Sequence, residues 1–418
     1  MRVSKMADTL IGSEIIRLAG EINQRIAAGA KIYNFTIGDF NPQYFPIPEL
    51  LKTEINHFYA QNKTNYPEAN GMQVLREAAA DFVERKQNLS YSPNDYLISS
   101  GSRPIIYATF ATLLDAGDKV VFPTPSWNNN HYAHLFGAQK VEVETLPEQN
   151  FMPTAQMIAP HLEGATLLAL CSPLNPTGTV FEKQQLLDIC QLVIDENKRR
   201  SPDQKPLYLL YDQIYWALTY GDTVHYNPVA LLPEMRPYTI FVDGISKAFA
   251  ATGVRVGWTF GPSDIIAKMK SILSHMGAWA PKAEQLATAS FLNDHKATDD
   301  YLAWIKNELE LRLNGFYQEF VQLKAAGFLV DVVAPQAALY LTVQFRLVGK
   351  TTPSGYTLAN TADITKYLLD EAGLAIMPFY AFGADKDSSW YRLSVGTCSL
   401  EDVQAACQNL RVALKNLS

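Results

Sequence analysis

Between residues 95 and 243, short apolar runs alternate with helix-patterned stretches, and few folds can absorb that alternation. The runs fall at 95–99, 119–122, 140–143, 165–171, 207–211 and 238–243. Several are apolar throughout rather than on alternate residues, as expected of strands buried on both faces. Residues 101–114 and 182–197 read as helices between them. The pattern predicts an α/β fold, with a mostly parallel sheet sandwiched by helices. In such sheets ligands sit beyond the carboxyl ends of the strands. The residues just after each run are therefore the first place to look for chemistry.

The flanking sequence differs. A helix over 13–26, with Ser13 as N-cap and Gly29 past its end, precedes an extended stretch at 33–38 and a turn at 39–43. Helices follow at 48–62 and 71–86; in the second, Val74, Leu75, Ala78 and Phe82 share a face. After Pro262, helical stretches at 264–273, 281–292 and 299–325 lead to strands at 329–333, 338–344 and 390–395. This reads as a smaller α+β domain. The expected division is 48–300 for the large domain and 1–47 with 301–418 for the small one. Surface loops are expected at 351–360 and 385–389, and the basic cluster 198–200 as a solvated loop.

Composition limits the function classes. Apolar residues are 48% and charged residues 18% of 418, enough for a sizeable core. A net charge of −7 gives no reason to expect nucleic acid or an anionic membrane. No apolar run approaches the roughly 18 residues of a membrane span, and the first residues carry no apolar signal core. Cys171, Cys190, Cys398 and Cys407 are widely spaced, without metal or redox spacing. Free thiols in the cytoplasm, and no metal, are the expectation.

The residues after the apolar runs form a set. Lys247 closes the run at 238–243, where burial would strip a lysine of its proton and leave a nucleophilic amine. Arg255 stands between Gly253 and Gly257, glycines that let the backbone pass close to an anion. Gly101, Ser102 and Arg103 open a helix, where backbone N–H groups can hold a phosphate, although a simple N-cap looks the same. Asn175-Pro-Thr-Gly178 follows a strand at once; a tight turn would suffice, or Asn175 faces a cofactor oxygen, with cis bonds at Pro173 or Pro176. Asp212, three residues before Tyr215, is costly at a strand end unless it caps a turn or meets a positive charge such as a pyridinium. Trp127 could lie flat on a ring or fill the core. Arg392, in an otherwise apolar strand, could pair with a structural acid or fork onto a substrate carboxylate.

With these residues in place, the chain resembles the fold-type I pyridoxal 5′-phosphate enzymes, specifically the class I/II aminotransferases, and most closely their aspartate aminotransferase branch. The resemblance runs from about Asn34 to Val395, and is most specific in Asn175–Gly178 and in the stretch from Ser246 to Trp258. It implies that Lys247 binds the cofactor aldehyde, Asp212 pairs with its ring nitrogen, and Tyr215 and Asn175 approach its ring oxygen. Trp127 would stack on the ring; Gly101, Ser102, the Arg103 backbone, Ser246 and Arg255 would hold the phosphate. Gly38 and Arg392 would take the substrate α-carboxylate, with Asn175 beside them. Tyr66 would reach the phosphate of a neighbouring subunit in a homodimer. One subgroup uses a lysine after Gly-Gly to read a distal carboxylate; Gly101-Ser-Arg103 is similar, with Arg103 in its place, and a helix-start surface residue is the alternative. The expected function is amino transfer between an L-amino acid, aspartate or glutamate, and a 2-oxo acid such as 2-oxoglutarate. The alternatives are a transaminase of aromatic or other neutral amino acids and a carbon–sulfur lyase. Two departures bear on specificity: Gly244 stands where the family often has serine, and the glycine expected after Pro335 is missing.

Overall fold

The computed structural model describes residues 3–10, 12 and 14–418. The expected N-cap at Ser13 lies outside the described residues; the helix it would open runs Glu14–Ala27. The first strand, Tyr33–Asn34 (β1), is two residues long. Seven more build one sheet: Tyr96–Ser99 (β2), Lys119–Thr124 (β3), Gln139–Glu144 (β4), Ala165–Cys171 (β5), Tyr208–Asp212 (β6), Thr239–Gly244 (β7) and Gly257–Phe260 (β8). Their spatial order is β2-β8-β7-β6-β5-β3-β4. All neighbours pair in parallel except β8, which runs antiparallel to β2 and β7.

Except at the edge strand β4, both faces of this sheet are buried, and successive residues alternate between two cores. From β6, Leu209 and Tyr211 enter one core and Leu210 the other; from β7, Phe241 enters the first and Ile240 and Val242 the second. Helices Gln73–Gln87, Lys183–Arg199 and Lys282–Asn293 supply the first core; Ser102–Leu113 and Ser263–Met276 supply the second. Apolar strands without polar alternation thus arise from two apolar faces. Each large side chain so buried contributes about 1.5–3 kcal/mol. β8 was not anticipated: its four residues follow Arg255 without a break and carry no period of their own.

The remaining strands are Val330–Val332 (β9), Tyr340–Phe345 (β10), Leu374–Ala375 (β11), Met377–Pro378 (β12) and Trp390–Ser394 (β13). Four of them form an antiparallel sheet in the order β12-β13-β10-β9, and β11 pairs in parallel with β1. Helices Thr361–Ala372 and Leu400–Lys415, like Asn129–Leu135 beside β3, were not anticipated. A third core lies here, and Tyr33, Phe35, Phe40 and Phe45 from the start of the chain are buried in it. Helix His295–Ala325 joins the cores: Leu302 packs in the first and Ile305 through Leu323 in the third. Among the described residues, no helix is long and apolar enough to cross a membrane.

The basic cluster 198–200 is not a solvated loop. Lys198 and Arg199 close helix Lys183–Arg199, where cations suit the C-terminal dipole. The Arg200 guanidinium folds back onto the buried Glu196 at 2.9 Å and onto the Ala165 carbonyl at 2.7 Å. The apolar period of the helix runs out before its hydrogen bonds do, so polarity alone misplaces the boundary.

Candidate functional site

β5, β6 and β7 are parallel neighbours and end side by side at Cys171, Asp212 and Gly244. The turns beyond them carry Asn175, Tyr215 and Lys247, while the turn after β2 carries Ser102 and Arg103. A cavity of about 790 Å³ opens over these ends. Gly38, Ser102, Arg103, Trp127, Asn175, Asp212, Tyr215, Ser246, Lys247, Arg255 and Arg392 all line it. Of the anticipated residues, Gly101 and Tyr66 do not. Gly101 sits just behind the wall. Tyr66 is 81% exposed, its ring edge-on to Trp279 at 5.3 Å.

One corner is built by close backbone approach. Gly101 has φ +92°, open to glycine at little cost, and a side chain there would collide with the Arg255 guanidinium. A Cβ on Gly257 would lie 2.7 Å from the Gly101 carbonyl carbon, and one on Gly244 2.7 Å from the Gly257 Cα. These glycines let the start of helix Ser102–Leu113, Ser246 and Arg255 converge. Arg255 donates to the carbonyls of Thr252 and Ser100, both at 2.7 Å. Free N–H groups at a helix start, hydroxyls and a fixed guanidinium can hold a dianion there. Gly244 is thus a packing requirement, and Ser246 remains as the hydroxyl near that corner. The peptide bonds before Pro173 and Pro176 are both cis.

The acid and the amine are tuned by their surroundings. Burial raises Asp212 to about 6, opposed by the Ile214 N–H that it accepts at 3.1 Å and by the charge of Lys247. Among the described residues no side chain donates to it, so it can accept a proton-bearing ring nitrogen. Burial lowers Lys247 to about 8; Asp39 opposes this, and Arg392, Arg103 and Arg255 add to it. The Lys247 amine donates to the Gly38 carbonyl at 2.6 Å. Near neutral pH the amine is thus much closer to its free-base form than an exposed lysine.

Arg392 enters from β13. It donates to Asn175 Oδ1 at 2.9 Å and the Thr36 carbonyl at 2.5 Å, between the rings of Tyr340 and Phe382 at 4.7 and 4.8 Å. Its Nε is buried without a partner among the described residues, an unspent donor that a carboxylate could take. Asn175 Nδ2 reaches the Tyr215 hydroxyl at 3.5 Å, which in turn bonds the Tyr340 hydroxyl at 2.7 Å. Arg103 is exposed at the start of helix Ser102–Leu113, as a helix-start surface residue would be, and its guanidinium lies over the Trp127 ring at 4.6 Å on the cavity lining.

Several cavity residues were not anticipated: Thr36, Asp39, Cys171, Thr252 and Tyr340, with Asn23 from helix Glu14–Ala27. Tyr340 lies in the segment where the expected glycine is missing, the one local signal among them. The others arrive by packing between residues far apart in the chain and have no local pattern.

Comparison with known proteins supplies the remaining findings. A model of the family described as Aminotransferase class I and II matches residues 30–410. An aspartate aminotransferase of Bacillus sp. (strain YM-2) is 27% identical over 404 residues, 96% of each chain. An aspartate/prephenate aminotransferase of Thermus thermophilus is 30% identical over 379 residues, 90% of this chain and 88% of the other. Among solved structures, the aspartate aminotransferase of Rhizobium meliloti superposes with a TM-score of 0.89 over all of both chains, at 23% identity, a likeness of fold. That of Thermus thermophilus with maleate gives 0.87 at 27% identity, over 99% of this chain and all of the other.

Proposed function

The chain belongs to the class I and II aminotransferases, and from that premise we propose that it moves the amino group of aspartate or glutamate to a 2-oxo acid such as 2-oxoglutarate. The cofactor is pyridoxal 5′-phosphate, and the residues present fit it: a corner for a dianion, a buried acid with no side-chain donor, and an amine of lowered pKa. When bound, it supplies an aldehyde and an electron-withdrawing ring that spreads the charge left when a substrate Cα loses its proton.

The chain's own residues do the rest. Asp212 would hold the proton on the ring nitrogen, and its lack of a side-chain donor among the described residues supports this. Asn175 and Tyr215, whose polar atoms converge, would meet the ring oxygen. Trp127 would flank the ring; Ser102, Ser246, Arg255 and the backbone at Gly101 and Arg103 would bind the phosphate. Arg392 would orient the substrate α-carboxylate through its unspent Nε, with Gly38 and Asn175 beside it. The Lys247 amine would then take the proton from Cα and deliver it on the far side of the transfer, a task suited to a base whose pKa lies near working pH.

The observation that carries the substrate is a second guanidinium, Arg103, in the same cavity as Arg392, where it would meet a distal carboxylate. The relatives named aspartate aminotransferase, one solved with maleate, a dicarboxylate, support the same reading. The test is a half-reaction screen following the cofactor absorbance with aspartate, glutamate, alanine and phenylalanine. Arg103→Ala should lower the aspartate rate constant over KM by about 30-fold or more, the effect of unpairing a charge, and leave alanine nearly unchanged. Equal losses on both would reject Arg103 as the distal reader.

The 48–300 and 1–47 with 301–418 division into domains fits the two sheets, with helix His295–Ala325 crossing the boundary. A homodimer is supported by Tyr66, exposed and outside its own cavity, as a residue serving a neighbouring site would be. Four free thiols support a cytoplasmic location.

A further inference from the structure

The segment from Thr36 to Asn41 crosses the cavity as a strap, and its polar groups are bonded to the machinery one after another. The Thr36 carbonyl accepts from Arg392, the Gly38 carbonyl from Lys247, and Asp39 Oδ1 from the Thr252 hydroxyl at 2.6 Å. The strap's far end is pinned by the Asn41 N–H on the Gly396 carbonyl at 2.9 Å. Thr252 uses its other polar group on the opposite side: its carbonyl accepts from Arg255 at 2.7 Å. Arg255 itself sits at φ +62°, a left-handed conformation unfavourable to a long side chain. Something must hold that turn. One residue, Thr252, therefore connects the Asp39 carboxylate to the arginine whose backbone is held in this conformation.

The charges in the cavity call for the same acid. Four cations line it, Arg103, Lys247, Arg255 and Arg392, against two acids, Asp39 and Asp212. Asp212 lies at the end of β6, where the ring nitrogen is expected, which leaves Asp39 as the acid on the strap side of Lys247. The charged and titratable groups that line the cavity with Lys247 are Asp39 from the strap, Cys171 at the end of β5, Asp212 at the end of β6 and Tyr215 beyond it, Arg103 from the helix start, Arg255 before β8, Arg392 from β13 and Tyr340 from β10. Asp39 and Asp212 are the acids among them that can hold a proton on the Lys247 nitrogen.

We propose that Asp39 is a positioning residue of the reaction: its carboxylate ties the strap to the Arg255 turn through Thr252 and counters the cations that crowd Lys247. The inference rests on the aminotransferase reading, with pyridoxal phosphate bound to Lys247. Asp39 acts through Thr252, whose hydroxyl it accepts, and through the charge it sets in the cavity beside Lys247.

The two arms separate by substitution. In Asp39→Asn holoenzyme the charge is gone, so the pH titration of the cofactor's visible absorption, which reports the proton on the Lys247 nitrogen, should shift down by about half a unit or more. In Thr252→Val the charge remains, so that midpoint should stay, while cofactor release on dilution should quicken by about three- to tenfold for the lost hydrogen bond. Asp39→Glu should restore the midpoint, which a merely structural role would not explain. Should Asp39→Asn titrate like the parent and release cofactor at the parent's rate, the inference is overturned. If the parent shows no visible cofactor band at any pH, Lys247 does not carry the cofactor and the premise of this inference fails; if the band is present but does not change with pH, Asp39 does not set a proton on Lys247 and the inference is overturned.

Discussion

The two sheets serve the site in different ways. The seven-stranded sheet delivers Asp212, Lys247 and Asn175 from the ends of adjacent parallel strands, so their spacing follows from strand register. The four-stranded sheet and the strap deliver Arg392, Tyr340 and Gly38 through contacts spanning more than 120 residues of chain, such as Arg392 to Thr36 and Tyr215 to Tyr340. In the first region the pairing of parallel neighbours fixes where the turns start. The second is paired within itself, with Thr342 opposite Arg392, but reaches the first through side-chain bonds and the packing of the third core. In the proposed assignment the first side handles the cofactor and, through Arg103, a distal carboxylate, while the second side handles the substrate α-carboxylate.

The largest expected effect is on the first side. Lys247→Ala should abolish turnover, a loss of at least about 10⁴-fold if the amine is the proton carrier, and should remove the absorbance of the cofactor joined to the lysine. Thermal unfolding of the third core should be unaffected. A variant that kept both turnover and absorbance would break the division outright.

Next comes the second side. Arg392→Ala should cost about 2–5 kcal/mol in kcat/KM for every amino acid tested, because a substrate carboxylate loses its partner. The cofactor absorbance should be unchanged. If that absorbance moved as far as it does on altering Lys247, the two regions would not be separable.

The smallest effect sharpens the comparison through stability. Asp212 has a folded pKa of about 6 against 3.8 unfolded. The folded chain therefore binds more protons between those values, and stability from this group falls as pH rises from about 4 to 6. Above pH 6 the penalty is complete. Asp212→Asn in cofactor-free protein should thus raise stability at pH 7.5 by about 1–3 kcal/mol, and change it little at pH 4. Chemical denaturation at the two pH values measures the difference; an equal effect at both would remove burial of charge as the cause.

Much of this was legible in the chain. Five of the seven large-sheet strands appear as apolar runs because both faces of the sheet are buried there; the edge strand β4 shows instead as Val141 and Val143 alternating with charged residues. Lys247, Asp212 and Asn175 stand out because chemistry placed at or just past a strand end leaves a local mark, and Arg255 because Gly253 and Gly257 flank it. The strand at Gly257–Phe260 was missed because Gly-Trp-Thr-Phe is not an apolar run and continues the glycine–arginine stretch before it without a break. Asp39 and Thr252 were missed because neither means anything until the other is 2.6 Å away.

The sequence by itself determined the class of sheet, the lysine–acid pair and the family, since each is written in residues close together along the chain. The tertiary structure alone decided that Gly244 is a packing requirement, that Arg103 rests on Trp127, and that a strap from residues 36–41 spans the site. The reason is range. Hydrogen bonds and contacts between segments hundreds of residues apart depend on how three cores pack against each other, and no local pattern encodes that.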